Sequence, residues 1–492
     1  MSGIRRELMQ QRGLNSVFTK WAFIADIKPV SKMKKILIFM FICFSASSGF
    51  IFSQEKVWSL EECIKYAIDN NIQIKQQVLQ TRFQENTLEQ SKLNLLPTLN
   101  GQASHNYSFG RALDETTYEF TDNQNIQSNN FYAGGSMNLF SGLQNYNTIQ
   151  KNKYQLLASE LDLQSIKDNI SLSIALAYLQ ILLNTELVTT TDNQLQITKQ
   201  QIVKTKKMFD AGSVAKGNLL QIEAQAAGEE LQLINLRNQL EISYLTLTQM
   251  LELHSPEGFK IVTPDISIDT GMVITGKVDD IFNQAQSLRP EIRSAELKLT
   301  ASEFDLKIAN GARSPRLSLN HSFNTRFSDI AIKPSNPTEK YSFSEQLNDN
   351  INYGIGFSLN IPILNGWQIN KNISNSKLNI ESSRYTLEAE KKQLYKTIQQ
   401  SYADAVAALK KYNASTKAVV SMEESFRYTE QKFNVGMVTP VDYNAAKTQL
   451  LTAQSDMSQA KYEFIFKTKV LDFYKGLPLN LNQSANSSTI SK

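Results

Sequence analysis

The sequence predicts an α+β membrane protein: a trimeric twelve-stranded β-barrel, four strands per protomer, that continues into a periplasmic α-helical barrel. Three observations predict it. Four runs of about ten residues alternate apolar with small polar side chains. Two stretches of helical periodicity far exceed the length of a globular helix. The whole strand-and-helix pattern also occurs twice, as an internal duplication.

The strands come first. Leu99, Gly101, Ala103, His105, Tyr107 and Phe109 alternate with Asn100, Gln102, Ser104, Asn106 and Ser108. Phe131, Ala133, Gly135, Met137 and Leu139 alternate with Tyr132, Gly134, Ser136 and Asn138. The runs Leu317–Asn324 and Ile351–Ile361 repeat the pattern. About ten residues is the length a tilted strand needs to cross a bilayer. The polar face carries Asn, Ser, Gln and Gly, without the Lys and Glu that a water-facing sandwich leaves outside. That suits a wet lumen. Four strands cannot close a barrel, and an open edge in lipid would leave N–H and C=O groups unpaired. Three copies of four strands give twelve, enough for an open channel. The polar segments 111–129 and 325–349 read as long extracellular loops. Pro97, Gly142, Pro315 and Gly366 mark the turns from strand to helix.

The helices follow. Ile166, Ile170, Ile174, Ala177 and Ile181 recur at spacings of three and four, as do Leu394, Ile398, Tyr402, Ala405, Leu409 and Tyr412. From Gly142 to Gly212 an unbroken helix would be a rod about 100 Å long. Residues 58–96 and 277–313 also show helical patterning.

The duplication is read from matched segments. Phe209-Asp210-Ala211-Gly212-Ser213-Val214 corresponds to Phe433-Asn434-Val435-Gly436-Met437-Val438, an offset of 224 residues (436 − 212). The same offset relates Gly142 to Gly366 and Tyr178 to Tyr402. Pro97 and Pro315 differ by 218, so a six-residue length difference falls between the strands, where loops vary. A period this long marks a duplicated domain-sized unit, not a solenoid. The expected divisions are an extension over 1–32, a signal peptide over 33–53, repeats over 54–275 and 276–478, and a disordered tail over 479–492. Lys34-Lys35 followed by the apolar run Ile36–Phe44 and then Ser45-Ala46-Ser47-Ser48 carries the signal.

Composition removes other classes. The 492 residues have a net charge of +4 with scattered basic residues, so no nucleic-acid stripe exists. With the signal removed, Cys63 is the one remaining cysteine, which makes no internal disulfide. His105, His254 and His321 lack metal-ligand spacing, and Glu61-Glu62 reads as an acidic first helical turn. No catalytic residues, metal site or cofactor are expected.

The opening helix Trp58-Ser59-Leu60-Glu61-Glu62-Cys63-Ile64-Lys65-Tyr66-Ala67, the Leu96-Pro97-Thr98-Leu99 strand entry and the two Phe-x-x-Gly-x-Val segments resemble the TolC-like outer-membrane efflux family. The resemblance spans about residue 56 to 478. It implies a homotrimer in outer-membrane lipid, serving as the exit duct for efflux or type I secretion. It also implies a periplasmic adaptor (membrane fusion) protein and an energised inner-membrane pump as partners. Ala211, Gly212, Ser213, Val435, Gly436 and Met437 would be the adaptor-docking tips. Asp442 would narrow the periplasmic aperture, though Thr439-Pro440-Val441-Asp442 also reads as a capping box. The sequence departs from the family at Asn218, the match to an acid, at Val438, the match to a gating Arg, and at Ala445. The rival class is a structural coiled-coil or adhesin-like surface protein.

Overall fold

The computed structural model describes residues 57–111, 118–120, 124–264, 268, 276–333, 335–479 and 481. The expected extension and signal peptide lie outside them, as do part of the first loop and nearly all of the tail. Each repeat opens with two helices, α1 (Leu60–Asn70) and α2 (Ile72–Leu93) in the first, α5 (Val278–Leu288) and α6 (Pro290–Gly311) in the second. Each closes with a very long helix and a shorter one: α3 (Gln144–Asp210) and α4 (Lys216–Met250), then α8 (Gln368–Asn434) and α9 (Pro440–Tyr474). The paired helices have equal lengths of 11, 22, 67 and 35 residues. The duplication therefore preserves every helical turn.

Between the helices lie the spanning strands β2 (Asn100–Gly110), β3 (Gln124–Phe140), β5 (Arg316–Ser328) and β8 (Asn352–Asn360). They form one antiparallel sheet in the order β2-β3-β5-β8. Its outward face is apolar and bare: Phe109, Tyr353, Ile355 and Phe357 are each more than 70% exposed. Such a contiguous apolar face is unfavourable in water and favourable against lipid. Both outer strands, β2 and β8, end the sheet with an unpaired edge.

The strands run longer than their alternation. β3 begins seven residues before Phe131, where Asn125, Gln127 and Asn129 occupy the outward positions. There the outward side chains of β3 are amides beside Tyr107 and Phe109 of β2, so no apolar alternation within β3 marks it. His105 sits at this boundary, its Nδ1 2.5 Å from Asn129 Oδ1 on the neighbouring strand.

Several segments differ from the sequence expectation, and β3 takes residues 124–129 from the expected loop 111–129. The helical stretches 58–96 and 277–313 each break once. Asn71 caps α2 by accepting from the N–H groups of Gln73 and Ile74, and Pro290 starts α6 after Arg289. Residues 57–58 form a short strand, β1 (Val57–Trp58), parallel to β4 (Lys260–Ile261). The segment 325–349 is not a plain loop. It extends β5, then forms the hairpin β6 (Ile332–Lys333) and β7 (Asn336–Lys340) and the helix α7 (Phe343–Asp349). Gln346 on α7 is fully buried, accepting from Ser328 N–H and donating to the Ser328 and Tyr341 carbonyls. This amide ties α7 to β5 beside the buried Ala331 and the Phe327–Phe343 ring contact at 4.9 Å.

The core lies at mid-helix. Leu60, Cys63 and Ala67 of α1 pack on Ile174, Tyr178 and Ile181 of α3 and on Leu247 of α4. The Tyr178 hydroxyl donates toward Val262 O at 2.6 Å and Trp58 O at 3.2 Å, tying β1 and β4 to the long helix. In the second repeat Ile281, Ala285 and Ile292 pack on Leu394, Ile398 and Ala405. Arg289, 5% exposed, lies 4.1 Å from the Phe473 ring and pairs with Asp168 and Glu291. Burial pushes the Asp168 carboxyl up, against the opposing hydrogen bond of Gln164 and the charge of Arg289.

At the strand–helix turns the backbone is left-handed twice in succession. Gly142 and Leu143 have φ of 63° and 62°, and Gly366 and Trp367 have 59° and 65°. A Cβ on Gly142 would lie 2.3 Å from Gly311 O, and one on Gly311 would lie 2.4 Å from Gly142 O. The end of α6 thus touches the first turn backbone to backbone. Gly311→Ala should separate them and cost about 1–3 kcal/mol. Gly228→Ala, mid-helix with nothing within 4 Å, should stabilise by about 1 kcal/mol. Thermal unfolding of the two variants in detergent checks this; equal melting temperatures would contradict the close approach.

Candidate functional site: the helical tips and their seam

The far ends of the long helices turn back through the two Phe-x-x-Gly-x-Val segments. In the first, Gly212 N–H donates to Phe209 O and Ser213 N–H to Met208 O, both at 2.8 Å. In the second, Gly436 N–H donates to Phe433 O at 3.1 Å and Met437 N–H to Lys432 O at 2.8 Å. These are paired Schellman closures, which satisfy the last carbonyls of each helix. They need a residue at positive φ, and Gly212 and Gly436 supply 73° and 76°. Neither glycine has a heavy atom within 4 Å of its would-be Cβ. Their role within the chain is conformational, and their outer faces are open.

The residues expected at the tips lie there. Ala211, Gly212 and Ser213 are exposed on the first; Val435 and Met437 are 71% and 74% exposed on the second. The motif phenylalanine of the second tip stacks on the opposite arm, Phe433 against Tyr443 at 4.6 Å. Lys204 Nζ donates to Asn434 Oδ1 at 2.7 Å and so joins the two tips.

The helices that leave the tips start differently. Thr439 caps α9: its hydroxyl accepts from Asp442 N–H, while the Asp442 carboxylate accepts from Thr439 N–H at 3.1 Å and Oγ1–H at 2.7 Å. The sequence-read capping box is present. Those hydrogen bonds from Thr439 hold the Asp442 carboxyl below the usual carboxylate range. Asp442 remains fully exposed, so its charge is available to the solvent beyond. Val438 is half-buried just before the cap. At the first tip Ala215 makes no side-chain cap, and Asn218 N–H closes a tight first turn on Ala215 O at 3.0 Å. Asn218 and Asp442 occupy matching places on different arms.

Sequence reasoning missed the polar knot behind the tips. Lys447 of α9, Thr198 of α3 and Glu229 of α4 are 2%, 1% and 4% exposed. Lys447 donates to the Thr198 hydroxyl and to Gln194 O, and its Nζ lies 3.6 Å from Glu229 Oε1. Thr198 in turn donates to Glu229, which also accepts from Gln225 at 3.0 Å. Burial pulls the Lys447 ammonium below its ordinary range, and the Glu229 charge only partly restores it. Nearer mid-helix, Glu186 accepts from Ser458 at 2.6 Å and pairs with Lys461 at 3.4 Å. Both links fasten α9 to the first repeat. At the offset of 224, the equivalents of Thr198, Glu229 and Lys447 are Met422, Ala453 and Glu223 (422 − 198, 453 − 229, 447 − 223). This ionic knot is not duplicated. Among the described residues no group of three or more His, Cys, Asp or Glu side chains is placed to hold a metal ion.

The model of the outer membrane efflux protein family matches the chain twice, over residues 63–252 and 281–466. The chain belongs to the outer membrane efflux protein family. Each match covers most of one repeat, as a family founded on the duplicated unit requires. TolC of Escherichia coli is 23% identical over 382 residues, covering 77% of this chain and 74% of that protein. TolC of Vibrio cholerae is 22% identical over 433 residues, covering 88% and 93%. Among solved structures, VceC from Vibrio cholerae has a TM-score of 0.69 at 16% identity, covering 85% of this chain and 96% of that one. The CmeC channel of Campylobacter jejuni has a TM-score of 0.68 at 17% identity, covering 86% and 87%. This efflux channel lies with its strands in the outer membrane and its helices in the periplasm. The adhesin-like alternative falls away.

The buried knot gives a direct test of the seam. Lys447→Met leaves a carboxylate inside without its cation, which should cost about 3–5 kcal/mol. Lys447→Met combined with Glu229→Leu should recover most of that loss. Melting temperatures of the two variants in detergent decide it; a single variant as stable as the parent would show that the pair bears no load.

Proposed function

We propose that three copies of this chain close their sheets into a twelve-stranded barrel and form a passive exit duct, powered by a partner rather than by chemistry of its own. The observation that carries this is the sheet itself: two unpaired edges, an apolar outer face and a lumen face of Asn, Ser and Gly. Open edges are not tolerated in lipid, whereas closure by further copies pairs every backbone group. The segments that join β2 to β3 and β5 to β8 then face the cell exterior, and the repeats divide as 54–275 and 276–478. The helices reach about 100 Å below the barrel, far enough to meet a periplasmic adaptor. The exposed tip residues Ala211, Gly212, Ser213, Val435, Gly436 and Met437 are the adaptor contact, and an energised inner-membrane pump chooses the cargo. A polar, uncharged wall supports passage of varied solutes without recognition.

At the periplasmic mouth Asp442 of three copies forms an anionic ring, with Asn218 and Val438 beside it. Like charges around an axis reinforce one another and attract cations. Where other family members use an Arg, Val438 offers no ion pair, so closure rests on hydrogen bonds and apolar contact. Hydrogen bonds from Thr439 lower the Asp442 pKa within each chain, while the neighbouring carboxylates of the ring raise it. Asp442→Asn, which keeps the oxygen acceptor for Thr439, should lower the cation-to-anion permeability ratio at least about twofold at neutral pH. Unchanged selectivity would leave Asp442 as a helix cap only.

A further inference from the structure

We propose that the tunnel wall holds a binding site for uncharged amphiphilic solutes, a lumen-facing hollow where α3, α4 and α9 meet. It rests on the duct reading above and goes beyond it, because the barrel strands offer solutes only small polar side chains.

The hollow has a volume of about 430 Å³, within the range of small-molecule sites. Leu176, Leu179, Leu183 and Leu187 of α3 line it from one side, and Tyr462 and Phe466 of α9 from another. Spacings of three and four put the four leucines on one helix face. Leu176 is 43% exposed, so apolar surface is left open there. The exposed amides of Gln180, Gln239 and Gln459 line the same hollow. Glu463, the carboxylate that lines it, is already paired with Lys411 at 3.0 Å. Apolar surface, amide donors and acceptors and a neutralised charge fit a neutral amphiphile. Its alkyl or aryl body would lie on the leucines and its hydrogen-bonding head toward the amides.

The hollow opens toward the lumen. Ile174, Tyr178 and Ile181 take the opposite face of α3 and pack under α1 and the β1–β4 pair. A two-residue step turns about 200° round a helix, which separates Ile174 from Leu176 and Ile181 from Leu183. The same holds on α9. Phe464 packs with Ile268, which also joins the α1 core, and Phe466, two residues on, faces the hollow. Twelve helices about 10 Å across enclose a lumen roughly 30 Å wide, which three copies of a layer one helix thick would nearly fill. An open duct therefore carries that layer outside, and the hollow inside.

The duplication supplies the comparison. At the offset of 224 (400 − 176) the four leucines become Gln400, Ala403, Ala407 and Lys411, all exposed, and Tyr462 corresponds to Asn238. The second repeat builds the same wall with small and polar side chains, so the helix does not need these leucines to stand. Apolar surface gathered on the first repeat alone belongs to the hollow, not to the wall.

Photolabelling of the full-length protein in lipid nanodiscs with 3-trifluoromethyl-3-phenyldiazirine, a small uncharged aryl probe, tests the site. Peptide mass spectrometry should find saturable label in segments 176–187 and 459–466, about tenfold above segment 400–411. Label in the lipid-facing strands serves as the internal standard. Leu176→Gln with Leu183→Ala copies the second repeat and should bring both segments down to the level of 400–411. Equal label in 176–187 and 400–411, or label unchanged in the variant, would overturn the site. Gln180→Cys reports the face, since Cys63 is fully buried and escapes a bulky reagent. A polyethylene glycol maleimide on that cysteine should lower single-channel conductance in planar bilayers by more than half. Native mass in detergent is measured on the same samples. A three-chain mass with unchanged conductance would overturn the lumen placement and leave the duct standing. A single-chain mass would overturn the duct reading and the lumen placement with it.

Discussion

Every larger feature of this protein depends on the pairing of backbone N–H and C=O groups at the edges of one four-stranded sheet. Lipid offers no hydrogen bonds, so β2 and β8 need partners that the chain itself does not contain. The exposed aromatic and aliphatic face fixes which side meets lipid, and strand alternation then places Asn, Ser and Gly on the lumen side. Symmetry, channel and location follow from that constraint. The hydrophobic core proper is modest and sits far away, at mid-helix around Tyr178 and Ile398.

The duplication turns this local demand into geometry. Helices of equal length and hairpins of equal register give both halves of the chain the same frame. Where evolution varied the copies, it did so in loops and in buried polarity. The six-residue difference between offsets falls in the strand-joining segments, and the second of these folded into its own small cap around Gln346. The Lys447–Thr198–Glu229 knot exists only on the seam within the chain. The covalently linked repeats are thus fastened ionically near the tips, while the matching positions elsewhere carry Met422 and Ala453.

Strand alternation, rod length and the repeat were legible in the sequence because each is a periodic signal extended over many residues. So was the Thr439–Asp442 box, a local pattern four residues long. What was not legible lacked periodicity. The outer end of β3 carries Asn125, Gln127 and Asn129 on its outward face and a single apolar residue, Ile126, on the other, so no alternation announces it. The break at Asn71 depends on a side-chain cap inside an otherwise helical run, although Pro290 gave a visible sign of the matching break at Arg289. The buried knot joins residues 198, 229 and 447, each unremarkable in its own helix and meaningful only once three helices pack.

The most direct measurement is an electron cryo-microscopy map of the intact protein in lipid nanodiscs. The account predicts a threefold particle with twelve strands, β8 of each copy hydrogen-bonded to β2 of the next, above unbroken helices. A single-chain particle, a barrel with another strand number, or a sheet packed against a soluble layer would contradict it.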